Sequence, residues 1–125
     1  MKILAIVIAS LMFAGGAQAQ DLHMDKARRV LEGTPLFDGH NDLPWVIRGS
    51  EDAPHDVEAY DLRNATSGHT DIARLRSGMV GAQFWSVYIP MEAVEEGAAR
   101  YQLEQIDIAR QVIRRYPDVF EQAAV

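Results

Sequence analysis

The sequence predicts an α/β fold built around a parallel β-α-β unit. Three observations carry this reading. Two stretches, Leu36–His40 and Met79–Ile89, have strand character. The connection between them bears a helix, as a parallel pair needs and a hairpin does not. A long amphipathic segment follows the second stretch and supplies a helix to cover it.

The elements follow in order. Met24–Glu32 reads as a short helix that Gly33 stops, with Pro35 just beyond. Leu36–His40 is the first strand. Arg48–Asp61 is polar, acidic and interrupted by Gly49 and Pro54, so it reads as a surface loop. Thr70–Gly78 reads as a helix with Thr70 as its N-cap and Gly78 as its end. Met79–Ile89 is nearly all apolar and closes at Pro90, which predicts a strand buried on both faces. Met91–Tyr116 reads as one long helix. Ala99, Leu103, Ile106, Ala109, Ile113 and Tyr116 form its apolar stripe. Glu92, Glu95 and Glu96 near its start, and Arg110, Arg114 and Arg115 near its end, suit the helix dipole. Pro117 ends it. Two strands and one good helix do not finish an α/β domain. Asp118–Val125 reads as the approach to a third strand, and the chain as the first part of a larger protein.

Bulk composition bounds the function. A chain of 125 residues fits one small domain at most. Hydrophobic content of 48% and charged content of 24% are those of a globular protein. The net charge of −6 argues against nucleic-acid or anionic-membrane partners, which need basic patches. Met1-Lys2, the uncharged run Ile3–Gly16 and the small-x-small site Ala17–Ala19 have the layout of a secretory signal peptide over residues 1–19. The run is too short to span a membrane, and no basic stop-transfer flank follows. Residues 20–125 are then the mature part, without a transmembrane helix, in the periplasm or outside the cell. There is no cysteine, hence no disulfide framework, although that compartment would permit one. Asn64-Ala65-Thr66 has the glycosylation pattern, whose use depends on the host.

The chemistry concentrates in Pro35–Trp45, "PLFDGHNDLPW". Asp38, His40 and Asp42 are spaced by two, so a strand that persists puts all three on one face. The C-terminal end of a parallel strand is where α/β sheets and barrels place their sites. A neutral imidazole nitrogen from His40 and an anionic oxygen from Asp42 suit Zn2+ or another divalent ion. Gly39 and Asn41 would point the other way, with Gly39 allowing close packing behind. The bland alternative is a hydrogen-bonded core histidine at position 40 and a turn or cap aspartate at position 42. Two ligands also do not complete a zinc site. His23 and His55 have no partner at ligand spacing, and His69 reads as local structure before the Thr70 cap. No Ser/His/Asp constellation, Gly-rich phosphate loop or basic-aromatic patch competes.

Three blocks, Asp38–Trp45, His69–Pro90 and Leu103–Phe120, together closely resemble the membrane dipeptidases, also called renal dipeptidases, a family of zinc metallopeptidases. The resemblance implies the N-terminal portion of a (β/α)8 TIM-type barrel, its first two strands and following helices, incomplete in this chain. It implies two zinc ions in the complete enzyme and hydrolysis of dipeptides, including those with a C-terminal D-residue; some members cleave β-lactam-like dehydropeptides. The family's H-x-D matches His40 and Asp42, which would both ligate one zinc. Trp45 matches a tryptophan that lines the substrate pocket, and Ala82–Ile89 the second barrel strand. Asp38 has no matched role beyond support of the strand end. The family's bridging glutamate, further histidines and late aspartate all lie downstream of the matched region, so no catalytic residue falls within this chain. The expectation is that residues 20–125 alone fold poorly, hold zinc weakly and are inactive. Membrane association and a homodimer of the complete protein are compatible with the resemblance. Three rival readings stand beside it: another amidohydrolase-like metal hydrolase, a metal-free exported binding protein, and a small exported interaction module.

Overall fold

A computed structural model describes residues 23–95 and 97–123. The signal-peptide reading of residues 1–19, and Glu96 of the acidic cluster, lie outside the described residues. The chain divides into two compact units, Met1–Leu36 and Phe37–Val125. In the first, residues 23–33 form helix α1, close to the expected span. Thr34 N donates to Val30 O at 2.8 Å and closes its last turn.

β1 runs over Leu36–Asn41 and β2 over Val80–Trp85, and the two are neighbours in one sheet. Ser86 N, just past the end of β2, donates at 2.8 Å to the carbonyl oxygen of Asn41, the last residue of β1. The two C-terminal ends therefore lie side by side and the pair is parallel, as the sequence predicts.

The second strand departs from expectation. It is shorter than Met79–Ile89 and is not buried on both faces: Phe84 is 69% exposed. One neighbouring strand and one covering layer leave a face free. Trp85, on the covered face, packs edge-on against Phe120 with ring centroids 5.1 Å apart. The start is set by Met79, whose φ of 53° turns the chain before β2.

Helix α2, Leu43–Arg48, was not expected from the sequence. Its six residues include Pro44, which is tolerated in a first turn because the missing N–H has no helical partner there. Asn41 Oδ1 accepts the Leu43 N–H at 2.9 Å and starts the helix. α3, Ile72–Ser77, lies within the predicted helix but is capped differently. Asp71, not Thr70, is its N-cap, accepting the Arg74 N–H at 2.7 Å. Thr70 is instead engaged with Asn41.

The long helix is interrupted. Met91–Val94 forms a 3-10 turn, and α4 proper is Ala98–Arg115. Gly97 sits between them at φ 100°, a left-handed conformation that glycine adopts without a Cβ clash. The buried stripe also differs from the expected one. Gln105, Ile108, Val112 and Tyr116 are buried, whereas Leu103 is 65% exposed and Ala99 is exposed. Two adjacent stripes fit a helical period here, and the polar Gln105 disguises the one that packs.

The core joins these pieces. Leu43 and Ile47 from α2, Val57, Tyr60 and Leu62 from the connecting loop, Ile72 from α3, and Ile108, Val112 and Tyr116 from and just after α4 form one cluster. Large apolar side chains contribute about 1.5–3 kcal/mol each when fully buried. Because α2 follows β1 directly, anchoring α2 in this core also fixes the end of β1. Among the described residues, no helix is long and apolar enough to cross a membrane.

Candidate metal centre

The end of β1 opens into a cleft lined by Asp38, His40, Asp42, His69, Thr70 and Gln83, among others. The expected alternation stops one residue early. The strand ends at Asn41, and Asp42 has left extended geometry to become the N-cap of α2. The turn nevertheless brings the pair together: His40 Nε2 and Asp42 Oδ1 are 3.0 Å apart. Both remain reachable, with side chains 69% and 42% exposed.

Two neighbours behave unlike their alternation. Asn41 does not point away but lines the same cleft, donating to Thr70 Oγ1 at 3.0 Å while its carbonyl starts α2. A Cβ at Gly39 would meet no atom within 4 Å, so this glycine does not make room for close packing among the described residues.

Asp38 is the hub of the cleft floor. Its Oδ1 accepts the backbone N–H of His40 at 3.1 Å. Its Oδ2 accepts from Gln83 Nε2 at 2.8 Å and, more weakly, from Asn41 Nδ2 at 3.5 Å. Gln83 Oε1 in turn accepts from Trp85 Nε1 at 3.1 Å. The His40 N–H and the Gln83 amide hold the Asp38 carboxyl below its ordinary range, so it is anionic at neutral pH. Sequence reasoning missed Gln83. The available signal was a lone amide within the otherwise apolar "MVGAQFWSVYI".

The cleft's other ionic group is already occupied. Arg74 lines it, but its Nε donates to Asp71 Oδ2 at 2.6 Å and its Nη2 to Thr66 Oγ1 at 2.9 Å. The arginine hydrogen bonds hold the Asp71 carboxyl low, that from the Arg74 backbone N–H first. With Arg74 neutralised by Asp71, Asp38 and Asp42 leave the ligand pair in a negative environment that favours a cation.

The residues fit a divalent metal as part of its donor set. Two ligands on a tetrahedral zinc at ordinary bond lengths stand about 3.3 Å apart. The observed 3.0 Å between His40 and Asp42 is close to that spacing. Imidazole nitrogen with carboxylate oxygen is also a donor pair that zinc accepts. Among the described residues, no third His, Cys, Asp or Glu joins them in a metal-holding group.

Trp45 lies in the first turns of α2, half-buried, and is not among the residues lining this cleft. It packs against Tyr88, with ring centroids 5.6 Å apart and planes tilted by 38°. His55, in a left-handed conformation at φ 65°, lies in the connecting loop outside the cleft.

The family model for membrane dipeptidases, peptidase family M19, matches residues 24–124. The chain is 44% identical over 95 residues to dipeptidase 3 of Mus musculus, a match covering 76% of this chain and 19% of the mouse protein. It is 43% identical over 95 residues to dipeptidase 3 of Rattus norvegicus, with 76% and 19% covered. Dipeptidase verJ of Clonostachys rogersoniana is 39% identical over 109 residues, covering 78% of this chain and 27% of that protein. The chain thus spans between 19% and 27% of the length of these curated relatives.

Proposed function

The chain belongs to the membrane dipeptidase family, and on that premise we propose that the protein hydrolyses dipeptides with zinc held in part by His40 and Asp42. The observation that carries this reading is the His40 Nε2–Asp42 Oδ1 pair, 3.0 Å apart and open to a negatively charged cleft at the end of a parallel strand. Bound zinc supplies a Lewis acid for the scissile carbonyl and a water of lowered pKa.

The roles of this chain's residues follow. His40 offers its neutral Nε2, and Asp42 its Oδ1, as two ligands to one ion. Trp45, packed on Tyr88 and outside the lining of the His40–Asp42 cleft, offers an apolar contact to a substrate that extends past that cleft. Further ligands, the second zinc and the carboxylate that moves the proton belong to residues beyond this chain. β1 and β2 are then the first two strands of a (β/α)8 barrel, with residues 1–19 directing export to the periplasm or cell exterior. Residues 20–125 by themselves hold zinc weakly and do not turn over dipeptide, since two ligands are fewer than a zinc site needs.

The test is made in the full-length protein. It should contain zinc and hydrolyse a panel of dipeptides that includes C-terminal D-residues. Chelation should abolish hydrolysis, and added zinc should restore it. His40→Ala and Asp42→Ala should each remove zinc and activity together. Hydrolysis that survives exhaustive chelation would refute the proposal.

A further inference from the structure

We propose that Asp38 is a positioning residue for the His40–Asp42 pair, acting through the backbone of β1 and the Gln83 amide on β2. The inference rests on the reading of His40 and Asp42 as metal ligands.

The argument begins with strand geometry. In an extended strand, the N–H and C=O of one residue point to the same side, and successive residues alternate. Asn41 O receives Ser86 N, so Asn41 faces β2. His40 N–H therefore faces away from β2. Asp38 Oδ1 takes that N–H at 3.1 Å and removes the freedom of the backbone at the ligand-bearing residue.

The other oxygen works across the sheet. Oδ2 accepts from Gln83 Nε2 at 2.8 Å, 45 positions along the chain. Gln83 is itself oriented by Trp85 Nε1, and Trp85 is packed on Phe120. A continuous set of bonds thus runs from the aromatic packing of β2 to the N–H of His40. Asn41 adds a second tie on the same segment through Thr70. Asp38 touches neither the His40 ring nor Asp42 Oδ1 through a hydrogen bond, so its contribution is to the placement of the ligands and not to the ligand set.

The alternative is that Asp38 only stabilises the strand end. Cobalt(II) separates the two, because its visible absorption reports the geometry of its ligands independently of turnover. Groups that orient metal ligands typically change affinity by 10–100-fold when removed. In the full-length protein, Asp38→Ala should weaken Co2+ binding by about that factor and alter its visible spectrum. Asp38→Asn keeps an acceptor for the His40 N–H but sets an amide against the Gln83 amide, so it should show a smaller loss. Asp38→Asn combined with Gln83→Glu restores a donor–acceptor pair with its direction reversed. It should recover the spectrum and most of the affinity, a rescue that a purely structural role would not give. Wild-type Co2+ affinity and spectrum in Asp38→Asn, or no recovery in the double variant, would overturn the proposal. His40→Ala tests the underlying reading separately: if it leaves Co2+ binding unchanged, the ligand assignment itself fails, whatever Asp38 does.

Discussion

Tyr116 closes over Leu62: its hydroxyl accepts the Leu62 N–H at 2.9 Å and donates to Asp61 Oδ1 at 2.9 Å. Arg115 Nε adds a further donor at 2.9 Å. The residue after α4 thereby secures the loop that leads to α3 and the cleft. Tyr116→Phe keeps the ring and removes the acceptor, leaving the buried Leu62 N–H unpaired. The expected cost is about 1–3 kcal/mol, read as a fall in the urea midpoint without a change in slope. A midpoint equal to wild type would show that water replaces the hydroxyl.

Gln105 is fully buried, and neither its amide nitrogen nor its amide oxygen has a hydrogen-bond partner among the described residues. It occupies the packed stripe of α4 beside Ile108 and Val112. A buried polar group without a partner costs about 1–3 kcal/mol. Gln105→Leu, similar in size and without polar atoms, should raise stability by up to that amount. A lower melting temperature for the variant would show that the amide binds a buried water.

Gly68 packs against the Tyr60 hydroxyl. A Cβ there would stand 2.7 Å from Tyr60 Oη and 3.2 Å from Val46 Cγ1. Gly68→Ala should destabilise by about 1–3 kcal/mol through overpacking. Tyr60 Oη is buried without a partner among the described residues, so Tyr60→Phe alone should cost little. The two changes together should cost less than Gly68→Ala alone, because the nearest clashing atom is gone. Additive costs in the double-mutant cycle would count against this contact.

Acid should destabilise the fold through carboxylates that are held low. The Arg74 backbone N–H does this for Asp71, Arg48 for Glu104 and Arg63 for Asp118. Each bond stabilises the folded state fully above the ordinary values of 3.8 for Asp and 4.5 for Glu. That stability is lost as pH falls below those values through the depressed folded ones. Melting temperature should therefore be steady near neutrality and drop below about pH 4.5. A profile flat down to pH 3 would refute the assignment.

Salt should divide two of these pairs. Arg63 and Asp118 meet at 2.8 Å with both side chains about half exposed. Arg48 meets Glu104 at 2.7 Å but is only 7% exposed, and its guanidinium lies 3.5 Å from the centroid of the Tyr101 ring. Screening reaches the first pair and not the second. Asp118→Asn should lower the melting temperature measurably less than Glu104→Gln, and only the former's effect should fade in 1 M salt.

The strongly patterned parts of this fold were legible beforehand. The parallel pair followed from two strand-like runs and their long connection, whereas His40 and Asp42 were singled out by spacing but meet through the turn at Asp42 and not through a persisting strand. What escaped depended on side-chain bonds that periodicity does not register. α2 begins because Asn41 Oδ1 takes the Leu43 N–H, in a segment to which the sequence pattern assigned no element. The cap of α3 moved to Asp71 because Thr70 bonds Asn41. Gly97 broke the predicted helix just ahead of Ala99, where the apolar stripe begins. At the site, Gln83 could not be paired with Asp38 before the sheet placed β2 beside β1.

The chain has two tryptophans, and their positions give the molecule an optical readout of its own. Trp85 reaches Asp38 through a single glutamine, while Trp45, within α2, rests on Tyr88. Any event that tightens or releases the Asp38–Gln83 link alters the hydrogen bond at the Trp85 indole and so shifts its emission. Trp45→Phe leaves that bond in place and Trp85→Phe removes it, so the difference in emission between the two variants isolates the Trp85 indole's response to ion uptake at His40 and Asp42.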